Sequence, residues 1–241
     1  MLDSKAQSGP VLRLVQTEAP KTRTDATLRR LRRDIIACRL KPGAKLRADE
    51  LCRAYGVGTS PLREALFQLV SEGLVRSDGQ RGFRVAGISL EDLRDITARR
   101  MQLECEALRT SIEKGDVEWE AGLLAGLHRL ERTEGADEAS DGELADRWEE
   151  VHRSFHFSLY AACGSPWLLR FCEIMIEQGE RYRRGFVIYR RIDDRIGSEH
   201  RALVEAAVER RPADAEEILR EHIGRAAQLA TRYLELPGEG P

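Results

Sequence analysis

Cysteine is scarce and unpatterned. The five, Cys38, Cys52, Cys105, Cys163 and Cys172, are odd in number and form no C-x-x-C pair. That excludes a disulfide framework and a thiolate zinc site, and leaves small apolar residues suited to a reducing compartment. Long apolar runs are missing too. The stretch from Leu2 to Val15 is interrupted by Asp3, Lys5 and Arg13, and nowhere do the roughly 18 apolar residues of a membrane span run together. The chain is expected to be soluble and cytoplasmic, with no membrane partner. Catalytic signatures are absent as well: there is no G-x-S-x-G elbow and no G-x-x-x-x-G-K-[ST] loop, and Gly56-Val57-Gly58 lacks a third glycine.

The near-neutral net charge of -2 hides a strong asymmetry. Up to residue 88 there are 17 Lys+Arg against 9 Asp+Glu, and beyond it 22 against 32. A basic front fits a nucleic-acid partner, because Lys and Arg neutralise backbone phosphates, and the acidic back fits a separate domain. A length of 241 residues allows two domains.

Residues 1–22 lack sustained periodicity and read as a flexible arm. From Asp25, read as a helix cap, Leu28, Leu31, Ile35 and Ile36 recur at helical spacing until Pro42-Gly43 stops the run. A short helix over about 48–55 follows. After the turn Gly56-Val57-Gly58, Pro61 opens a third helix that runs to Gly73. Leu74-Val75-Arg76 and Phe83-Arg84-Val85 then alternate across a turn-rich centre, predicting a β-hairpin. This order is that of a winged helix-turn-helix. From Ser89 on, helices are expected over about 89–114, 116–136, 141–163, 165–192, 194–211 and 212–235, with breaks at positions such as Gly115, Gly135, Gly197 and Pro212. Short connections between long amphipathic helices predict an antiparallel bundle. The fold class is therefore mainly α, with a winged domain over 23–87, a helical domain over 88–235 and a disordered tail over 236–241.

Leu40-Lys41-Pro42-Gly43, the run from Gly56 to Leu66, and Arg81-Gly82-Phe83-Arg84-Val85 closely resemble the GntR family of regulators. Arg100 to Glu104, Phe155-His156, Glu199-His200 and Glu221-His222 resemble the FadR-type (FCD) effector domain, and His152 to Leu169 is similar to its CsiR-type branch. The resemblance implies a DNA-binding transcription regulator, expected to be a repressor and a homodimer, and not an enzyme. It further implies that Thr59, Ser60, Pro61 and Arg63 meet the major groove, with Arg81 and Gly82 approaching the minor groove. Arg63 has the chemistry to pair bidentately with guanine; its plainer reading is an exposed charge beside neighbouring glutamates. The chain departs from the usual motif at Gly58 and Thr59, where Ser or Thr and Arg are common.

His152 and His156 are four residues apart, His200 shares a face with Leu203 and Ala207, and His222 lies on the run Leu219, Ala226, Leu229. One such histidine is usually a hydrogen-bonded core residue. Four at the positions matching the family's metal ligands point to a divalent transition metal. Related domains usually have Asp where His152 stands, and an added imidazole favours Zn2+ or Ni2+ over Mg2+ or Ca2+. His128 stands apart as a surface residue. Arg100 sits within the stripe Leu93, Ile96, Leu103, Ala107. It is either a clamp for a small carboxylate effector or one half of a structural ion pair. Gln178, Arg181 and Tyr182 accompany it as candidate effector contacts, with Gly179 leaving room for a ligand. Two alternatives remain. A metallohydrolase would need a base after His152, where Arg153 stands; a DNA-binding protein without an effector would leave the inward Arg and His unexplained.

Overall fold

The computed structural model describes residues 22–134, 142–184 and 195–235; the expected arm, except Thr22, and the expected tail lie outside them. Helix α1 (Arg23–Ile36) opens on Thr22, not on Asp25. The Thr22 hydroxyl accepts from the Asp25 amide at 3.0 Å, and the Asp25 carboxylate accepts from the Thr22 amide at 3.1 Å. This reciprocal capping box satisfies two amides that would otherwise be orphaned, which explains the shift from the expected cap. The helix also stops well before Pro42. Ala37 closes it and Cys38 turns left-handed, with φ 55°.

Strand β1 (Lys45–Leu46), helix α2 (Ala48–Tyr55) and helix α3 (Thr59–Ser71) follow, then β2 (Val75–Ser77) and β3 (Phe83–Val85). The strands form one antiparallel sheet in the order β1-β3-β2. Between β2 and β3 the chain makes a single tight turn over Gly79–Arg81 and leaves it through Gly82 at φ 96°, ψ −140°. That conformation is open almost only to glycine. Leu31, Ile35, Leu62, Leu66, Leu69 and Val85 are essentially inaccessible and fill one core beneath α1, α3 and the sheet.

The rest is helical: α4 (Leu90–Lys114), α5 (Val117–Glu134), α6 (Gly142–Tyr160), α7 (Pro166–Arg184), α8 (Arg195–Val208) and α9 (Pro212–Leu234), making nine helices among the described residues. Gly197, expected to be a break, lies in the first turn of α8, where few intrahelical bonds exist to be weakened. The expected extension of α7 past Arg184 and the break at Gly135 fall outside the described residues. None of the described helices is long and apolar enough to cross a membrane.

Residue contacts divide the chain into two units. One contains the winged helix, α4 as far as Gln102, α7 from Phe171 and α9 from Arg220. Its helical part buries Leu93, Ile96, Tyr182 and Ala230 together. The other contains α4 from Leu103, α5, α6, α7 as far as Arg170, α8 and α9 as far as Leu219. There Leu108, Leu123, Phe155, Leu159 and Leu203 are buried, and the Trp119 indole donates to the Ser158 carbonyl at 3.0 Å.

Candidate DNA-binding surface, metal centre and ligand cavity

The recognition helix α3 begins without a side-chain cap, since Gly58 occupies that position in extended backbone. Its first amides are therefore left without a capping side chain, a ready arrangement for a phosphate oxygen. Thr59, Ser60 and Arg63 are exposed, Pro61 is half-buried, and the Arg63 guanidinium lies 5.9 Å from the centre of the Phe67 ring. Phe67 in turn packs edge-on against Phe83 of β3 at 5.2 Å. The helix and the wing are thus fixed to each other through two rings. Arg81 is exposed beside Gly82.

The sheet carries three further cations. Lys45 is paired in register with Arg84, and Arg84 with Arg76, so one exposed row of three positive side chains crosses the sheet. Asp78 accepts from Arg84 at 2.8 Å and offsets part of this charge. Like charges directly opposite one another on a sheet are unfavourable, and a polyanion removes the repulsion. Nothing in the sequence marks Lys45 as part of this row, because a two-residue strand has no legible alternation.

His152 and His156 project from α6, His200 from the second turn of α8, and His222 from α9, one turn after Leu219. All four are buried, and one ring nitrogen of each lies within 4.8 Å of the others. The Nε2 atoms of His152 and His156 are 3.1 Å apart. Trp148 stacks on the His152 ring at 4.3 Å, and Phe155 meets His200 edge-on at 5.0 Å. Nitrogens sharing one ion at about 2.0–2.1 Å can be separated by at most about twice that. The cluster is therefore within a small contraction of a coordination sphere, and its donors, all imidazole, suit a borderline-soft divalent ion. His128 is exposed and apart from it.

Glu104 of α4 is completely buried, and it accepts a hydrogen bond from the Tyr160 hydroxyl at 2.6 Å. The same hydroxyl lies 3.4 Å from His156 Nδ1.

Arg100 faces a small cavity lined by Arg183, Leu93, Ile96, Ile223 and Ala226. Its volume of about 20 Å³ is room for about one water molecule. Gly179 does not leave a vacant place for a ligand, because a Cβ there would meet Arg100 Nη1 at 3.1 Å. The space that the missing side chain provides is filled by the Arg100 guanidinium.

Of the other candidate effector contacts, Tyr182 lines the cavity with its ring, but its hydroxyl is engaged at the start of α4. It donates to Asp92 at 2.5 Å and accepts from the Ser89 amide at 3.2 Å. Burial and the Asp92 carboxylate push its ionisation well above the usual range for tyrosine. Gln178 and Arg181 bond the winged helix. Gln178 donates to the Glu72 carbonyl at the end of α3 at 3.1 Å. Arg181, only 2% exposed, donates to the Ala86 carbonyl beyond β3 and to Gln178. Burial lowers the Arg181 pKa from its ordinary value. The Cys38 thiol meets the Arg181 carbonyl at 3.5 Å.

Two family models match the chain: the gntR family of bacterial regulatory proteins over residues 23–85, and the FCD domain over residues 95–225. An HTH-type transcriptional regulator of Paraburkholderia xenovorans, BphR, is 40% identical over 209 residues, 87% of this chain and 85% of its own. The Escherichia coli transcriptional repressor GlaR is 38% identical over 200 residues, 80% and 89% of the two chains. A solved GntR-family regulator from Pseudomonas syringae is 32% identical with a TM-score of 0.53, covering 88% of this chain and 86% of its own. The E. coli McbR structure shares the fold, with a TM-score of 0.70 at 22% identity over 87% and 97% of the chains. These are regulators rather than enzymes, and with both family models accounted for, the chain belongs to the GntR family of DNA-binding transcription regulators, with an FCD effector domain.

Proposed function

We propose that this regulator binds a two-fold operator as a homodimer, and that a small organic acid entering the helical domain beside a bound Zn2+ or Ni2+ ion changes its hold on DNA, as in a ligand-released repressor. The observation that carries the reading is the double duty of α7. Gly179, Tyr182 and Arg183 line the cavity, while Gln178 and Arg181 on the same two turns bond the winged helix. The cavity is small and α7 is one of its walls, so a ligand that settles there acts on the helix that bonds the winged domain.

On DNA, Thr59 and Ser60 meet phosphate with their hydroxyls and amides, Arg63 reaches a base edge, and Arg81 and Gly82 follow the sugar-phosphate chain. The row Lys45, Arg84, Arg76 adds sequence-independent attraction. Each protomer supplies one recognition helix, and closed two-fold assembly is the commonest symmetry. Within the helical domain Arg100 holds the carboxylate of the effector. The ion, when bound to His152, His156, His200 and His222, supplies a Lewis-acidic position for a further carboxylate oxygen. GlaR is named a repressor, which supports the direction of control.

The test is selection of bound genomic fragments followed by footprinting at two salt concentrations. A protected two-fold site is the expected result. Arg63→Ala should weaken it by about 1–3 kcal/mol while leaving non-specific binding nearly unchanged. Protection that depends only on salt, with no preferred sequence, would overturn the reading.

A further inference from the structure

The segment Arg100 to Glu104 stands out in the sequence through its arginine, yet its glutamate reaches toward the histidine cluster. We propose that Glu104 and Tyr160 are positioning residues that hold His156 in the tautomer with its proton on Nδ1, so that the Nε2 lone pair faces the other imidazoles before any ion arrives.

The argument is proton counting. The Tyr160 hydroxyl has one proton, and it is directed to Glu104 Oε2 at 2.6 Å. A short bond of this kind to a carboxylate is strong. Toward His156 the phenol oxygen then offers only a lone pair, so the contact at 3.4 Å becomes a hydrogen bond when Nδ1 is the donor, which favours that tautomer. A neutral ring protonated on Nδ1 has an unprotonated Nε2, and Nε2 is the atom that lies 3.1 Å from His152 Nε2. The relay also fixes the ring against rotation about a torsion that is otherwise broad. Glu104, Tyr160 and His156 are each at most 1% exposed, so water does not substitute for the missing partner in a variant. Partners behind a ligating histidine raise its basicity and orient it, and losing one costs about 10–100-fold in metal affinity.

This inference rests on reading the four imidazoles as a metal site, and the experiment separates the two. Zn2+ affinity of the full chain is measured by competition with a chromophoric chelator for wild type, Tyr160→Phe and Glu104→Gln. The protonation of His156 is read by 15N NMR on metal-free protein at pH 8, with His156→Gln for assignment. The expected result is Nδ1–H in wild type, a shift toward the Nε2–H form in Tyr160→Phe, and a 10–100-fold loss of Zn2+ affinity in that variant. Glu104→Gln keeps a carbonyl oxygen for the phenol and should lose less. A purely structural role would lower the melting temperature of the metal-free variants and leave the tautomer as it was. An Nε2–H wild type, or a Tyr160→Phe affinity within twofold of wild type, would overturn the relay. A wild type that takes up no Zn2+ yet shows Nδ1–H would instead remove the metal reading and leave the tautomer assignment standing.

Discussion

Wild-type protein, stripped and reloaded with Zn2+ or Ni2+, is expected to hold about one ion per chain, and the double variant His200→Ala, His222→Ala to hold none. The double change removes two of four donors and leaves His152 and His156, a pair on a single helix. A bound ion stabilises a folded chain by about 4.1 kcal/mol when free metal is a thousand times the dissociation constant. The whole of that increment should vanish in the variant. His200 is completely buried, so its truncation also leaves a cavity that costs stability without any metal. Melting both proteins in chelator isolates the packing loss, and the rise on adding metal then reports the site alone. A double variant that still melted higher with metal, by as much as wild type, would remove these residues from the centre. Mg2+ should stabilise neither protein, since the four imidazoles offer it no oxygen.

The order of elements was legible because the apolar positions repeat with the periods of a helix or strand and because glycine and proline sit near the boundaries. Exact ends depended on side-chain chemistry that periodicity does not carry. Thr22 displaces Asp25 as the cap since both oxygens of the box are needed, and Cys38 ends α1 in a left-handed turn usually given to glycine. Strand β1 has two residues and exists through its register with β3, a long-range pairing that no local pattern announces.

The candidate site shows the same division between what a residue faces and what it meets. Spacing turns Arg100, Gln178, Arg181 and Tyr182 away from solvent, but it does not tell a ligand cavity from a domain contact. Gly179 illustrates the difference: a glycine inside a helix signals a close approach of some atom, and here the atom belongs to Arg100. Glu104 and Tyr160 lie 56 positions apart in the chain, so their pairing with His156 emerges only when α4 packs against α6.

Two arginines of the same unit are expected to fail in opposite ways. Arg100→Ala should abolish the stabilisation produced by a responsive dicarboxylate or hydroxy acid while leaving operator binding intact. Arg181→Met should keep that stabilisation and weaken its effect on DNA. Among the described residues Arg181 makes no ion pair; its buried guanidinium is held by two neutral oxygens. Hydrogen bonds from a charged group are worth about 1.5–3 kcal/mol each, and desolvating the charge opposes them, so an apolar side chain of similar length can be tolerated in the fold. Stability is thus a weak readout for this variant, and coupling is the strong one. Reciprocity requires that an effector which weakens operator binding by some factor bind the DNA-bound protein more weakly by that same factor, typically about 5–150-fold. In Arg181→Met the factor should fall by the same amount in both directions, because the bond from α7 to the Ala86 carbonyl is gone while Gln178 still bonds the winged helix through its side chain. Titration of wild type and both variants with an acid panel, reading melting temperature and operator affinity separately, distinguishes a lost clamp from a lost connection. An Arg181→Met protein with the full response would show that the signal does not pass through the Arg181 guanidinium, and an Arg100→Ala protein that melts low yet still responds would show that Arg100 is structural.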